Sequence, residues 1–313
     1  MHSIAFGVPP LIMNHEVGIF LPSYAETWKA KDAIQWQKTI LQVERRFQDG
    51  LRCLFDGSGI PKDASVSSFS NYLLIHGLLQ QIYIDRHGST GLSEPDMVKN
   101  FENALRNWQL SWEQTYESTL DPLSPKGPFG LTAIALLRLA YIRLSSELGP
   151  HQGLLSGSLQ CLLGRNTSSN RSPHVDRAVL HAAHALSVTV RLGVTFMAAN
   201  QTAIWTIEHS LCSLECALLL KDWLEMISMA IRSGGTEWLR KVERKLLGII
   251  TGIVKETSFA ETLSILEDEA SQFSRMATTV VKIWAQIFQG IHVLEIDNVI
   301  GAGLRILADS SPS

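Results

Sequence analysis

The sequence predicts an all-α protein that folds as an irregular multi-helix bundle, and three observations support this. The 313 residues are 45% hydrophobic and 18% charged, which is enough apolar material for one large core or two smaller ones. Apolar residues recur three and four positions apart through most of the chain, as they do on one face of a helix. Alternating apolar runs between turn residues, the pattern typical of strands, are missing.

The first half of the chain contains several predicted helices. Residues 24–55 and 71–86 are predicted to be helical, and a polar linker over residues 57–70 separates them. The segment SEPD at residues 93–96 starts the next helix, because Ser93 can cap it and Pro95 suits its first turn. Apolar residues at helical spacing continue this helix to about Thr119, and three prolines between Asp121 and Pro128 end it.

Glycines and prolines divide the second half of the chain in the same way. Gly149-Pro150, Gly193 and Gly234-Gly235 end helices, whereas Pro173 opens one. The predicted helices cover residues 129–146, a segment from residue 173, residues 196–223, residues 236–257, and one or two further helices within 260–308, with residues 151–172 as a loop.

The charge of the chain argues against nucleic-acid binding. Lys and Arg total 27 against 30 Asp and Glu, so the net charge is −3 and the basic footprint that neutralises phosphates is missing. The nearest basic cluster is interleaved with Glu237 and Glu243 and is predicted to be a solvated helix face. It consists of Arg240, Lys241, Arg244 and Lys245. We therefore expect no sequence-specific binding of duplex DNA by residues 1–313.

Cysteine usage and hydropathy indicate the redox compartment of the protein and whether it spans a membrane. The four cysteines are spread out, and Cys212 and Cys216 are four residues apart on one predicted helix, a poor geometry for a disulfide. A reducing compartment is therefore expected. The longest apolar segments carry charged residues such as Glu208 and Lys221, so no membrane span and no membrane partner are predicted.

One cluster has the residue types of a metal site. Its members lie on two turns of one predicted helix and are Glu208, His209, Cys212, Glu215 and Cys216. A structural zinc site also needs a second ligand pair elsewhere in the chain, and no such pair is present. The interpretation is therefore core cysteines and a core histidine, with no metal ligand and no cofactor-binding residue predicted in this chain.

Other candidate motifs are incomplete. His174, His181 and His184 lack the HExxH pattern, and they are predicted to lie on a partly exposed helix face. The acidic run at residues 267–269 has no second aspartate-rich motif to face it across a magnesium ion, so a solvated helix face is expected. The GxG at residues 301–303 lacks a preceding strand and a third glycine, so it is no dinucleotide motif. No catalytic residue is predicted.

Most tryptophans lie in apolar segments at helical spacing, at positions 108, 112, 205, 223, 238 and 284. Base stacking on nucleic acid would require interleaved Lys and Arg, which are sparse in these segments. The tryptophans are therefore predicted to lie in the core or to line a ligand pocket.

Several blocks, in order, resemble one family. They are PPLIMNHEVGIFLPSYAETW from Pro9, HGLLQQIYIDRH from His76, NALRNWQLSWE from Asn103, FGLTAIALLRLAYIRL from Phe129 and IWTIEHSLCSLECALLL from Ile204. Together they resemble the C-terminal half of the fungal-specific transcription factor domain (middle homology region) of fungal zinc-finger transcription regulators. Ser23 departs from the pattern, because the family often has cysteine there.

The resemblance implies a function and a division of the chain. Residues 1–223 would form the C-terminal half of the regulatory domain, and residues 224–313 a helical extension packed on it. The chain would be a non-catalytic regulatory domain in the nucleus, with protein partners and dimerisation with itself or a related chain both open. No zinc cluster or Cys2His2 finger is present, so DNA contact and zinc would belong to a missing N-terminal module.

Two alternatives use other features of the sequence. The tryptophan- and leucine-rich core could line the large pocket of an all-helical enzyme acting on an apolar, prenyl-type substrate, although no catalytic aspartate pair is present. A stand-alone interaction module that acts on a full-length paralogue through exposed helices is the other alternative.

Overall fold

The computed structural model describes residues 2–6, 8–39, 44–57, 66–88, 94–145, 171–263, 268–290 and 292–310. Its secondary structure is helical and contains no strand within these residues, which confirms the all-α prediction. The chain divides into two compact units. We call residues Pro9–Leu144 the N-terminal unit, and Met1–Val8 together with Ser145–Ser313 the C-terminal unit.

The α-helices are numbered in chain order, and two short 3-10 helices at Asn14–Glu16 and Thr236–Trp238 accompany them. They are α1 (His2–Phe6), α2 (Ala25–Trp28), α3 (Ala33–Thr39), α4 (Phe47–Phe55), α5 (Ser68–His87), α6 (Glu94–Gln114), α7 (Phe129–Ser145), α8 (Pro173–Leu192), α9 (Val194–Ile204), α10 (Ile207–Gly234), α11 (Lys241–Lys255), α12 (Ala260–Leu263), α13 (Glu269–Ile287) and α14 (Glu295–Ser310).

In the N-terminal unit, α4, α5 and α6 pack together around Phe101 and Trp108, which are fully buried. The single helix predicted over residues 24–55 is wrong, because the described part of that range contains the separate helices α2, α3 and α4. The chain around Phe20 pairs with the chain around Arg46 in an isolated antiparallel β-bridge. Extended backbone is required for that pairing, so a helix cannot continue through Arg46.

The ends of the predicted helices are confirmed in part. The helix predicted to reach Thr119 ends at Gln114, and the helix opened by Pro173 is present with Ser172 as its cap. The predicted cap of α6, Ser93, lies outside the described residues. Most of the predicted break at residues 149–172 lies outside them as well. Helix α5 begins at Ser68, where the Ser67 hydroxyl accepts a hydrogen bond from Ser70 N–H, so it takes in the end of the predicted linker.

In the C-terminal unit, the 28-residue helix α10 is central and packs against α8 and α13, and α14 packs on α13. The helix predicted over residues 196–223 is two helices, because Trp205 and Thr206 have extended backbone between α9 and α10. The predicted division at residue 223 falls inside α10, whereas the two compact units divide at residue 144. The extent assigned to the regulatory domain, residues 1–223, stays a prediction.

Candidate functional site

The first turn of α10 is positioned by a cap that involves Thr206 and His209. His209 Nδ1 accepts a hydrogen bond from the backbone N–H of Thr206 at 3.2 Å and lies 3.0 Å from its hydroxyl. This cap lies between the end of α9 and the start of α10, and His209 is only 8% exposed.

Rings from three elements meet at this turn and form what we call the aromatic–histidine cluster. Trp205 lies parallel to His209 with ring centroids 6.2 Å apart, and it contacts Trp284 at 6.3 Å and Phe288 at 5.8 Å. Phe288 in turn lies 6.1 Å from His292. These contacts join the start of α10 to the end of α13 and to the connection that leads into α14.

A carboxyl group closes the cluster on the side of α14. His292 Nδ1 is 4.0 Å from Asp297 Oδ2, and both side chains are almost fully buried. The Ser210 hydroxyl lies near the same carboxyl without meeting the geometry of a full hydrogen bond. Burial raises the pKa of Asp297, and Ser210 and His292 act in the opposite direction without restoring its ordinary value.

Several buried polar atoms of this region have no hydrogen-bond partner within the described residues. They are both side-chain amide atoms of Gln201, Trp284 Nε1, both ring nitrogens of His292 and Asp297 Oδ1. Buried polar groups are nearly always hydrogen-bonded, so these atoms are an unusual polar feature in an apolar core. These buried polar groups between packed aromatic rings make the cluster the candidate site of the C-terminal unit.

The sequence indicated only part of this site. His209 was singled out, but Ser210, His292 and Asp297 were not, because Ser210 lies more than 80 residues before the other two and the three share no motif. The one available signal was local, namely isolated polar residues in apolar segments that also contain tryptophan or phenylalanine.

The remaining members of the predicted cysteine-rich cluster lie in the core. Glu208, Cys212, Glu215 and Cys216 are each at most 5% exposed, and the two Sγ atoms are 3.9 Å apart. This confirms the interpretation of core cysteines and a core histidine. Throughout the described residues, no group of three or more His, Cys, Asp or Glu side chains is placed to hold a metal ion.

The other motifs have structural positions. His174 and His181 are half-buried and His184 is exposed, as predicted for a partly exposed face of α8. Asp268 caps α13 by accepting hydrogen bonds from the backbone N–H and the hydroxyl of Ser271, whereas residue 267 lies outside the described residues. A side chain at Gly301 would meet the Phe288 backbone oxygen at 2.6 Å, so this glycine permits close packing of α14 on α13.

A charged network joins α8 to α11. Arg240 donates two hydrogen bonds to Asp176, both at 2.7 Å, and one to Glu243 at 2.8 Å. Arg171 donates to both oxygens of Glu243, at 2.9 and 2.6 Å. Although burial of the carboxyl opposes it, these hydrogen bonds lower the pKa of Glu243 to about 2. Burial has the larger effect on Asp176 and raises its pKa.

This network corrects the prediction of a uniformly solvated basic face. Glu243 is 0% exposed and Arg240 is paired with carboxylates, so neither belongs to the solvent face of α11. Lys241, Arg244 and Lys245 are exposed as predicted. Trp238 also departs from its prediction of a buried position, because it is 65% exposed.

The comparisons with known proteins place this unit in a family. A family model described as the fungal transcription factor C-terminal domain matches residues 147–306, and it includes the aromatic–histidine cluster, the charged network and α11. The match covers just over half of the chain, and the chain belongs to this family. Of the blocks that resemble the family, the one from Ile204 lies within the matched residues and the others precede them. No curated protein and no solved structure gives a significant match.

Membership in a family of transcription factors implies a regulatory, non-enzymatic role in transcription and, in general, a nuclear protein. None of the described helices is by itself long and apolar enough to cross a membrane, and one sharply bent pair, Pro173–Leu192 with Val194–Gln201, meets the length and composition test jointly.

Proposed function

We propose that this chain is the non-catalytic regulatory domain of a fungal transcription regulator in which a separate zinc-finger module reads DNA. The observation that carries the proposal is the match to the fungal transcription factor C-terminal domain over residues 147–306. The acidic balance of the chain, with a net charge of −3, agrees with a domain that leaves phosphate contacts to another module.

In this proposal the helices present surfaces for protein partners. In the N-terminal unit, Leu11, Trp28 and Ile34 are each at least 69% exposed, and large exposed apolar side chains are a feature of protein interaction sites. Partners bind such surfaces, the zinc belongs to the separate module, and the regulator acts in the nucleus.

A tethering experiment tests the proposed function. Residues 1–313 are fused to the DNA-binding domain of a bacterial repressor, and transcription is measured in yeast from a reporter that carries the repressor's operator. We expect a severalfold change in reporter transcription relative to the DNA-binding domain alone. A fusion with no effect at equal protein level would contradict the proposal.

The chain offers a matched pair of variants for this experiment. Leu220 is fully buried in α10, so Leu220→Asp should disrupt the C-terminal unit and abolish the effect. Ile306 in α14 is 39% exposed, so Ile306→Asp should preserve it. An unchanged effect in both variants would indicate that the effect does not depend on the folded unit.

DNA binding by the chain itself is tested separately. We expect a gel-shift assay of residues 1–313 at physiological salt to show no sequence-selective binding of duplex DNA, because the counterion-release contribution is small for this charge. Sub-micromolar, sequence-selective binding would contradict the assignment of DNA recognition to another module.

A further inference from the structure

Helix α11 has an exposed face whose composition differs from that of an ordinary solvated helix. Its other face packs on α8 and α13 through buried residues such as Leu246, Ile250 and Val254. The exposed face carries basic and glycine positions along its middle and apolar positions on one flank. Its residues are Lys241, Val242, Arg244, Lys245, Gly248, Ile249, Gly252 and Lys255.

The charge of this face has a single sign. Four of its eight residues are basic, and none is acidic, because Glu243 is buried on the opposite side. None of the four basic side chains has an ion-pair partner within the part of the chain that the structure describes. Nearby exposed acids lie outside the helix, at Glu237 and at Glu256, which is 3.9 Å from Arg191.

The apolar and glycine positions follow the helical repeat. Val242 and Ile249 are seven residues apart on one flank and are 49% and 40% exposed. Gly248 and Gly252 are four residues apart along the middle of the face, and a Cβ atom added to either would have nothing within 4 Å. Glycine inside a helix lowers its stability, and packing within this unit requires neither glycine.

Two neighbouring glycines on an exposed helix face allow a second helix to approach more closely than larger side chains would. The basic side chains on both sides of the glycines favour a partner of opposite charge. Duplex DNA would match the charge alone, and it would leave Val242, Ile249 and the glycine stripe unused. A second copy of α11 would place like charges opposite each other.

From this arrangement we infer that the exposed face of α11 is a docking site for an acidic amphipathic helix of a protein partner. The small residues of that helix pack on Gly248 and Gly252, its aliphatic residues pack on Val242 and Ile249, and its carboxylates face Lys241, Arg244, Lys245 and Lys255. This mode is helix recognition by an apolar and charged surface, and it does not depend on DNA or on any transcriptional readout.

The test uses the purified chain 1–313 and a labelled synthetic peptide. The peptide is a helix of about 20 residues with alanine every fourth position on one stripe, leucine on one flank and glutamate on the other. A second peptide carries lysine in place of each glutamate. In fluorescence anisotropy we expect the acidic peptide to bind with a dissociation constant on the order of micromolar and the lysine peptide not to bind.

Variants of the face separate its two features. Gly252→Leu should weaken binding of the acidic peptide by at least ~10-fold through steric exclusion, and Lys241→Glu with Lys245→Glu should do the same through charge. Lys282→Glu, an exposed charge reversal on α13, is the matched control and should leave the affinity unchanged. Thermal unfolding of each variant verifies that the fold is retained, which the open space at Gly252 favours.

The inference is overturned by any of three results. The first is equal binding of the acidic and lysine peptides, and the second is full affinity of the Gly252→Leu variant. The third is use of the face by another ligand. That ligand would be a second copy of the chain if sedimentation velocity shows a dimer that Gly252→Leu abolishes. It would be duplex DNA if the acidic peptide does not bind and Lys241→Glu with Lys245→Glu abolishes DNA binding. A failure of the reporter experiment above would leave these peptide results unaffected, so the two proposals fail separately.

Discussion

The Arg240 guanidinium donates two hydrogen bonds of 2.7 Å to the two oxygens of Asp176, 64 residues earlier in the chain. This paired geometry joins the first turn of α8 to the residue that caps α11. Glu243, with no exposed area, accepts hydrogen bonds from both Arg240 and Arg171. The position of α11, and of its exposed face, therefore depends on a buried network of charges.

Glu243→Gln should destabilise the C-terminal unit. Removing one charge from a buried ion network leaves Arg171 and Arg240 without full compensation, which costs about 3 kcal/mol in free energy of unfolding. Urea unfolding followed by circular dichroism measures the change. Lys241→Gln, two residues earlier and exposed, is the control and should change stability by less than ~0.5 kcal/mol. Equal effects of the two variants would refute the role of the network.

The contribution of Glu243 to the free energy of unfolding should decrease as the pH falls. Its pKa in the folded protein is about 2, below the value of 4.5 for an unperturbed glutamate. The stabilisation is therefore complete above pH 4.5 and is lost as the pH falls from 4.5 towards 2. The difference in unfolding free energy between the wild type and Glu243→Gln should shrink over that window. A difference that stays constant between pH 7 and pH 3 would contradict it.

Asp297→Asn should increase the free energy of unfolding at neutral pH, in contrast to Glu243→Gln. The carboxyl is buried, its Oδ1 has no hydrogen-bond partner within the described residues, and burial raises its pKa. The charged form is therefore unfavourable in the folded state, and the amide should stabilise the unit by about 1 kcal/mol at pH 7. Because a raised pKa favours the folded wild type in acid, this advantage should decrease as the pH falls. A variant less stable than the wild type at pH 7 would show that the carboxylate has a stabilising role.

Replacing each of two glycines of the C-terminal unit by alanine should change the stability of the protein in opposite directions. Gly248→Ala places a methyl group in open space on α11 and should stabilise the protein by about 0.5–1 kcal/mol. A Cβ atom at Gly290 would clash with the backbone oxygen of Ala198, so Gly290→Ala should destabilise the protein by about 2 kcal/mol or more. Thermal unfolding midpoints of the two variants give the comparison, and changes of the same sign would contradict the packing described here.

Glu117→Ala should destabilise the N-terminal unit. Its carboxylate accepts hydrogen bonds from the backbone N–H groups of Ala25 at 2.7 Å and Ser68 at 2.9 Å, and so caps both α2 and α5. Loss of a cap costs about 1 kcal/mol for each helix, which gives about 2 kcal/mol in total. Glu113→Ala, at an exposed position near the end of α6, is the matched control. Denaturant titration compares the free energies of unfolding of the two variants. A Glu117→Ala variant as stable as the wild type would exclude the capping role.

The local features of the fold were predictable because their causes are local. Pro173 opens α8, Gly193 separates it from α9, and Gly234 with Gly235 ends α10, as the sequence predicted. The same holds for the burial of His209, Cys212 and Cys216, which follows from the apolar residues around them on one helix. The family resemblance was also confirmed, although the matched residues, 147–306, lie mostly beyond the blocks that suggested it.

Features that depend on distant residues were not predictable from the chain alone. The extended pairing of Phe20 with Arg46 interrupts a segment whose periodicity favours helix. The break between α9 and α10 is different, because its cap joins Thr206 to His209 only three residues away, a local signal that the prediction missed. The predicted extent of the regulatory domain and the absence of metal and cofactor stay predictions.

The sequence by itself determined the helical class, several helix ends and the family, because periodicity, proline, glycine and capping residues act within a few positions of the chain. Only the tertiary structure decided which charges are buried and which polar groups meet. Glu243 and Lys245 belong to one charged segment of the sequence, and nothing in that segment distinguishes a buried position from an exposed one. In the structure Glu243 is buried against Arg171, whereas Lys245 faces solvent. That difference depends on which face of α11 packs against α8. Burial then sets how strongly each charge interacts with its neighbours.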